Sequence, residues 1–326
     1  MVMQHHKAEM VVGIVLVVAM GIIGLINPAF WQFQNMFSLL QSNVVMGIMA
    51  LGVLLVLISG GIDVSFPAFA VAAMYLTVKY MVATGSQGIF IPFLMATAMG
   101  MCLGFMNGFF VYRFKIIPLI VTLGTASLVR GLLLGGVGTS MININKMPKV
   151  LINFATTELW GFTTPDGTHY GLTAMILVYI GLALMVHLIL RYTLMGRSVY
   201  AMGGDQVSAQ RIGFSLRKTT FFVYGLAGAL AGFAGLLHSS MIWLANPRDF
   251  GGLELDVIAA VVLGGASIFG GKGSVLGTML GVFTLVMVKN SLIIMHVDTT
   301  WQRVVVGMII LAATAATAYR DRNKSM

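Results

Sequence analysis

The chain has 326 residues, 58% of them hydrophobic and only 9% charged, whereas soluble domains carry about 25% charged residues. Its net charge of +9 does not mark a nucleic-acid binder, because the cations flank apolar runs rather than interleave with aromatics. A single cysteine, Cys102, excludes an internal disulfide and a thiolate metal site, and the twenty-five methionines are read as adaptable packing.

The composition is that of an all-α, multi-pass membrane protein forming one domain over 1–326. Ten apolar stretches are long enough, or nearly so, to cross a bilayer: 10–26, 43–59, 64–82, 89–111, 116–138, 171–190, 219–241, 255–270, 275–295 and 301–318. The first resembles a signal peptide, yet no small-residue cleavage site precedes Asn27 and Pro28, so it is read as an uncleaved span. His5 and His6 before it are read as solvated tail residues.

With the N-terminus in the cytoplasm, inner segments hold twelve Lys and Arg residues and outer loops hold three, Lys146, Lys149 and Arg248. This asymmetry is the positive-inside signature, so both termini are expected to be cytoplasmic. Lys79, Arg130, Lys289 and Arg303 fall within spans, three of them near outer ends where they can snorkel.

Two runs interrupt the apolar pattern. LISGGIDVSFPAF places Gly60, Gly61, Asp63, Ser65 and Pro67 in one span, and VVLGGASIFGGKGSVLG surrounds the short stretch 255–270 with glycine pairs. Such breaks survive at membrane depth only where protein or water satisfies the freed backbone. They point to a transport pathway, and close helix packing explains them as well. One break lies in each half, which implies an internal repeat of about five spans.

The external segment 139–170 carries Trp160, Phe162, Pro165, Asp166 and Gly167, and is read as a folded cap. The segment 191–218 holds five cations and a short helix signal. Asp205 is a suitable N-cap, the residues from Gln206 to Ile212 contain no breaker, and Gly213 can close the helix. The small Ser208 and Ala209 would let a partner's backbone approach; an ordinary cytoplasmic loop is the other reading.

Catalytic patterns are missing. FGGKGS around Lys272 fails the phosphate-loop pattern, because Ala266 stands where its first glycine belongs and Gly273 follows the lysine. His187 and His238 lie in separate spans without metal-binding spacing, and the chain has no nucleophile elbow. Asp63 is read as solvated at the inner end of its span. The intramembrane polar residues Asn43, Asn107, Thr122, Thr125 and Arg130 are candidates for a polar pathway. Amides, hydroxyls and aromatic faces recognise sugars, which adds Phe105 and Phe109 to that set.

Four motifs, in order along almost the whole chain, carry a resemblance: GGIDVSFP at 60–67, Asn107-Gly108 with TLGT at 122–125, GRSVYAMGGD at 196–205, and the block at 254–273. Together they resemble the permease subunits of ATP-binding-cassette importers for ribose, xylose, galactose and related sugars. The resemblance implies two cytoplasmic ATPase subunits that bind ATP and magnesium, a periplasmic sugar-binding protein, and a second copy or sister permease in the bacterial inner membrane. The chain itself would bind no cofactor. It further implies that a helix of the cytoplasmic loop docks on the ATPase; here that is Asp205, Gln206, Val207, Ser208, Ala209, Gln210, Arg211, Ile212 and Gly213. Phe66-Pro67-Ala68 departs from the family's Val-Gly-Ser, and Asp205 from its more usual Asn. The alternatives are an ion-coupled secondary transporter of a small polar solute, which needs an intramembrane acid, and a membrane enzyme using His187 and His238.

Overall fold

A computed structural model describes residues 2–298 apart from 165, 166 and 168, together with 300–302, 304, 305, 307, 308 and 311. Pro165, Asp166, Arg303 and most of the stretch 301–318 therefore lie outside the described residues, as do the C-terminal cations and the side chains of His5 and His6.

The chain opens with α1 (Val2–Ile26) and a 3-10 turn at Pro28–Trp31, where Asn27 Oδ1 accepts from Ala29 N. Then come α2 (Phe33–Ile58), α3 (Phe66–Thr84), α4 (Phe90–Phe114) and α5 (Pro118–Leu132), the last prolonged by a π turn at Leu133–Val137. A short α6 (Lys149–Ala155) and a hairpin of β1 (Glu158–Thr163) and β2 (His169–Thr173) precede α7 (Met175–Tyr192). The chain continues through α8 (Leu194–Gly204), α9 (Gln206–Arg211), α10 (Leu216–Ile242), α11 (Leu253–Leu263) and α12 (Val275–Ile294).

Among the described residues, seven helices are long and apolar enough to cross a membrane: α2, α3, α4, α5 with its π turn, α7, α10 and α12. The apolar stretch 255–270 does not form a spanning helix. α11 is 11 residues long, about 16 Å, and stops where Gly265 turns to φ +92°. The all-α expectation also needs correcting, because the segment 139–170 contains the β1–β2 hairpin.

α2 is apolar on every side and forms the centre, with 89% of its most apolar stretch buried. α10, α12 and α7 pack around it, and α3 packs on α10. The tightest seam joins α4 to α10, where Gly100 and Gly104 face Gly228 and Gly232. A Cβ on Gly100 would stand 2.1 Å from Gly228 O, and one on Gly228 2.2 Å from Gly100 O. Two helices without a hydrophobic drive between them gain attraction by bringing backbones this close, which only glycine allows.

The hairpin seats on the start of α2, with Phe162 against Phe33 at 5.3 Å and Trp160 against Phe37 at 6.2 Å between ring centroids. α6 is fastened through Phe154 to Phe93, which also meets Phe233 of α10. The hairpin and α9 lie at opposite ends of the helical bundle, as the chain path between them through α7 requires.

Candidate functional site

The first break occupies residues 59–65, between α2 and α3. Ser59 Oγ donates to Val56 O at 2.7 Å, and Gly60, at φ +86°, leads the chain out of the helix. α3 restarts with Phe66 and Pro67 in its first turn, where proline's missing N–H has no intrahelical acceptor to lose.

Asp63, 3% exposed, lies within this break. Its Oδ1 accepts from Ser65 N at 2.7 Å and from Ser65 Oγ at 2.6 Å. Asn107, fully buried on α4, donates from Nδ2 to Ser65 Oγ at 2.8 Å. From α5, Thr122 Oγ1 accepts from Val64 N at 3.3 Å and shares its hydrogen between Leu119 O at 3.2 Å and Ile62 O at 3.4 Å. Thr125 Oγ1 donates to Thr122 O at 3.2 Å. The break is thus held by side chains from two neighbouring helices, which is what freed backbone groups at this depth require. Asp63 is a buried, hydrogen-bonded carboxyl rather than the solvated one expected from sequence. Beside it, Asn107 Oδ1 and the Tyr224 hydroxyl are buried without a hydrogen-bond partner among the described residues.

The polar and aromatic pathway candidates therefore divide. Asn107, Thr122 and Thr125 converge on the break. Asn43 turns back on its own helix, donating to Leu39 O at 2.7 Å. Phe105 and Phe109 lie on the outward face of α4, 38% and 46% exposed, and Cys102 is exposed on the same helix. Arg130 reaches the opposite end of α5, where its guanidinium donates to the carbonyls of Asp249 and Phe250, 3.4 Å each. It thereby clasps the segment between α10 and α11, which pairs at Ala245 with Ile142.

Several other ionisable groups have partners. Lys79 donates to Val137 O at 2.7 Å, and Lys289 pairs with Asp256. His238 lies 3.7 Å from the Asp249 carboxylate, with its ring against Phe250. Among the described residues no cluster of His, Cys, Asp or Glu could hold a metal ion. A cavity of about 200 Å³ opens at the hairpin end, lined by Gln41, Thr156, Glu158, Thr173 and Trp243 among others. None of the predicted pathway residues lines it.

The second break, 264–274, meets the first at the end of α8. Gly271 N donates to Ile58 O at 2.8 Å, so the loop after α11 caps the last turn of α2. Tyr200 on α8 donates its hydroxyl to Gly273 O at 2.8 Å. Gly203, also on α8, lies between them: a Cβ there would stand 1.7 Å from Ile58 O and 2.7 Å from Gly271 N.

Asp205 then ends α8 and begins α9. Its extended backbone (φ −156°, ψ 115°) breaks the helix, and its Oδ1 accepts from Ser208 N as the cap of α9. Hydrogen bonds from the Ser208 side chain and then its backbone, with Arg211 nearby, hold the Asp205 carboxyl below its ordinary range. Gly213, at φ +94°, closes the turn. Ala209 is 1% exposed and faces inward, so it offers nothing to a partner; Val207 and Ile212, 57% and 71% exposed, are the apolar residues α9 presents. Gln206, Ser208, Gln210 and Arg211 surround them on the exposed side.

Residues 35–314 match the family model described as the branched-chain amino acid transport system / permease component. The chain is 32% identical to the ribose import permease protein of Escherichia coli (strain K12) over 310 residues, covering 92% of this chain and 90% of that protein. It is 32% identical to the ribose import permease protein of Bacillus subtilis (strain 168), covering 93% and 89%. The autoinducer 2 import system permease protein of Photorhabdus laumondii is 30% identical, covering 94% and 88%. No solved structure gives a significant match.

Proposed function

Because the chain belongs to the branched-chain amino acid transport system / permease component family, we propose that it carries a monosaccharide or sugar-like small molecule into the cytoplasm as the membrane subunit of an ATP-binding-cassette importer. It is a permease subunit of the bacterial inner membrane and not an enzyme. A separate ATPase subunit binds ATP and magnesium, a periplasmic binding protein delivers the solute, and a second permease copy or a sister permease completes the pathway.

The α9 end faces the cytoplasm and the hairpin end faces outward in this reading, with both termini cytoplasmic. α1, α11 and the stretch 301–318 join the seven long helices in a ten-segment topology of two related halves. The cap and the Arg130-clasped segment receive the binding protein.

The observation that carries the proposal is the α8–α9 elbow. A six-residue capped helix presents Val207 and Ile212 to solvent at the end of the bundle where both helix breaks meet. Burying what remains exposed of these two side chains is worth about 2–4 kcal/mol to a partner that fits them. A partner that alternates between two shapes can then bias the break without the permease binding solute tightly. The unmatched polar atoms of Asn107 and Tyr224 beside Asp63 favour a hydroxyl-bearing solute over an apolar one. Relatives named for import of ribose and of autoinducer 2 agree with a small-molecule cargo.

The test is the double variant Val207→Glu/Ile212→Glu, expressed with the cognate ATPase. ATPase association and uptake are expected to fall together while the chain still inserts and migrates as wild type. Undiminished uptake by that variant would remove α9 from the mechanism.

A further inference from the structure

We infer that Gly203 and Tyr200 are positioning residues for transport, forming a backbone seam through which displacement of α9 reaches both helix breaks at once. The inference rests on the importer reading above. Three chain segments meet at the seam: the end of α2 at Ile58 and Gly60, the loop from Gly270 to Gly273, and the last turn of α8.

Gly203 has an ordinary helical conformation, so clearance, not backbone freedom, is why it is glycine. Its missing Cβ would overlap Ile58 O at 1.7 Å. Across the seam, a Cβ on Gly270 would stand 2.5 Å from Gly203 O and 2.9 Å from Gly60 Cα. At Gly203, Gly270 and Gly271 the facing atoms are all main chain, and only at Gly273 does the loop meet side chains, those of Ile58 and Leu54. Around Gly203 no flexible side chain is there to absorb a shift, and close-packed protein is nearly incompressible. Two hydrogen bonds give the seam direction: Gly271 N to Ile58 O, and the Tyr200 hydroxyl to Gly273 O, each 2.8 Å. α9 is attached to this seam through one residue, Asp205.

The two ends of the seam lead to different places. Ile58 and Gly60 open into the Asp63–Ser65–Asn107 network, while Gly273 opens into α12, whose first turn is capped by Ser274. A movement of α9 would therefore shift the floor of the first break and the start of α12 together.

Gly204 supplies the control. It is the next residue on the same helix, and a Cβ there meets nothing within 4 Å. The experiment purifies the permease with its ATPase, reconstitutes the complex in liposomes, and measures ATP hydrolysed and solute accumulated with the loaded binding protein. The probe is whichever of D-ribose, D-xylose, D-galactose or autoinducer 2 the wild type accumulates.

Gly203→Ala is expected to lower solute moved per ATP by about tenfold or more, with hydrolysis continuing, while Gly204→Ala matches wild type. Tyr200→Phe, which removes one hydroxyl without adding volume, is expected to lower the same ratio several-fold and decides the matter if Gly203→Ala does not assemble. A merely structural role would reduce hydrolysis and uptake in proportion to assembled complex, leaving the ratio unchanged. An unchanged ratio in Tyr200→Phe, or equal ratios in Gly203→Ala and Gly204→Ala, overturns the inference. A wild-type preparation that holds no ATPase overturns the importer reading itself, and the seam proposal with it.

Discussion

Replacing Gly228 by alanine adds one methyl group at the point where α10 lies closest to α4. The new Cβ would stand 2.2 Å from Gly100 O and 3.0 Å from Gly104 Cα. Ordinary carbon–oxygen contact begins near 3.4 Å, so the helices must part by about 1 Å along this stretch. A gap of that size forfeits about a quarter to a half of the dispersion attraction of each contact it opens. Overpacking in a rigid seam costs about 1–3 kcal/mol, which for a chain of this length lowers a melting midpoint by about 1.5–4.5 °C. Alanine is also the better helix former by about 1 kcal/mol, which works in the opposite direction and must be separated out. Gly181→Ala on α7 does this, because a Cβ at Gly181 meets nothing within 4 Å. Thermal unfolding of both variants in the same detergent should show Gly228→Ala less stable than wild type, and Gly181→Ala equal to it or more stable. Equal midpoints for the two variants would refute the seam argument.

Other outcomes follow from single contacts. Asn107→Leu removes the donor to Ser65 Oγ and should cost about 1–3 kcal/mol in thermal stability, with uptake falling further than stability accounts for; an unchanged midpoint would contradict the described network. Lys289→Met leaves the half-buried Asp256 unpaired and should destabilise by about 1–3 kcal/mol, while Lys289→Met/Asp256→Leu recovers most of that loss in the same melting assay. At Asp205 the folded carboxyl is depressed, so its contribution to α9 is complete above the unfolded value of about 3.9 and is lost as pH falls through the folded one. ATPase association should therefore be flat between about pH 5 and 8. Asp205→Asn should keep association and Asp205→Ala should weaken it, which a pull-down at several pH values would check.

What could be read in the sequence was the local chemistry. The apolar runs locate the cores of the spanning helices, and Asp205 with Gly213 brackets α9 correctly because capping and left-handed closure depend on neighbouring residues only. Boundaries were legible where a breaker stands and not where polarity merely thins the apolar signal. α2 begins at Phe33, ten residues before the apolar stretch at 43, because Gln34, Asn35, Gln41 and Ser42 lower hydropathy without interrupting a helix. α8 is hard to see in the sequence because its glycines and serine resemble loop composition, although Thr193 caps it through Gly196 N.

The site was legible in part. Helix breaks at 59–65 and 264–274 follow from their glycine pairs, but their meeting with Gly203 joins residues some 70 to 140 positions apart, which no local pattern encodes. The burial of Asp63 is hidden for the same reason, since the amide that anchors its partner Ser65 comes from Asn107, 42 residues away. The α4–α10 seam had a readable signal in its paired small-xxx-small spacing, Gly100 with Gly104 and Gly228 with Gly232. Ala209 shows the limit of reading a short helix by residue size alone: which side faces a partner is set by α9's packing, and that packing turns Ala209 inward.

The most direct test of the importer reading is purification of the tagged chain from its native host in mild detergent, followed by transport in liposomes. The account expects an ATPase subunit to accompany the chain, its hydrolysis to rise with a sugar-loaded binding protein, and uptake to require ATP. A chain that purifies alone and moves solute under a proton or sodium gradient without ATP would contradict it, and would make the buried Asp63 the first residue to examine as an ion site.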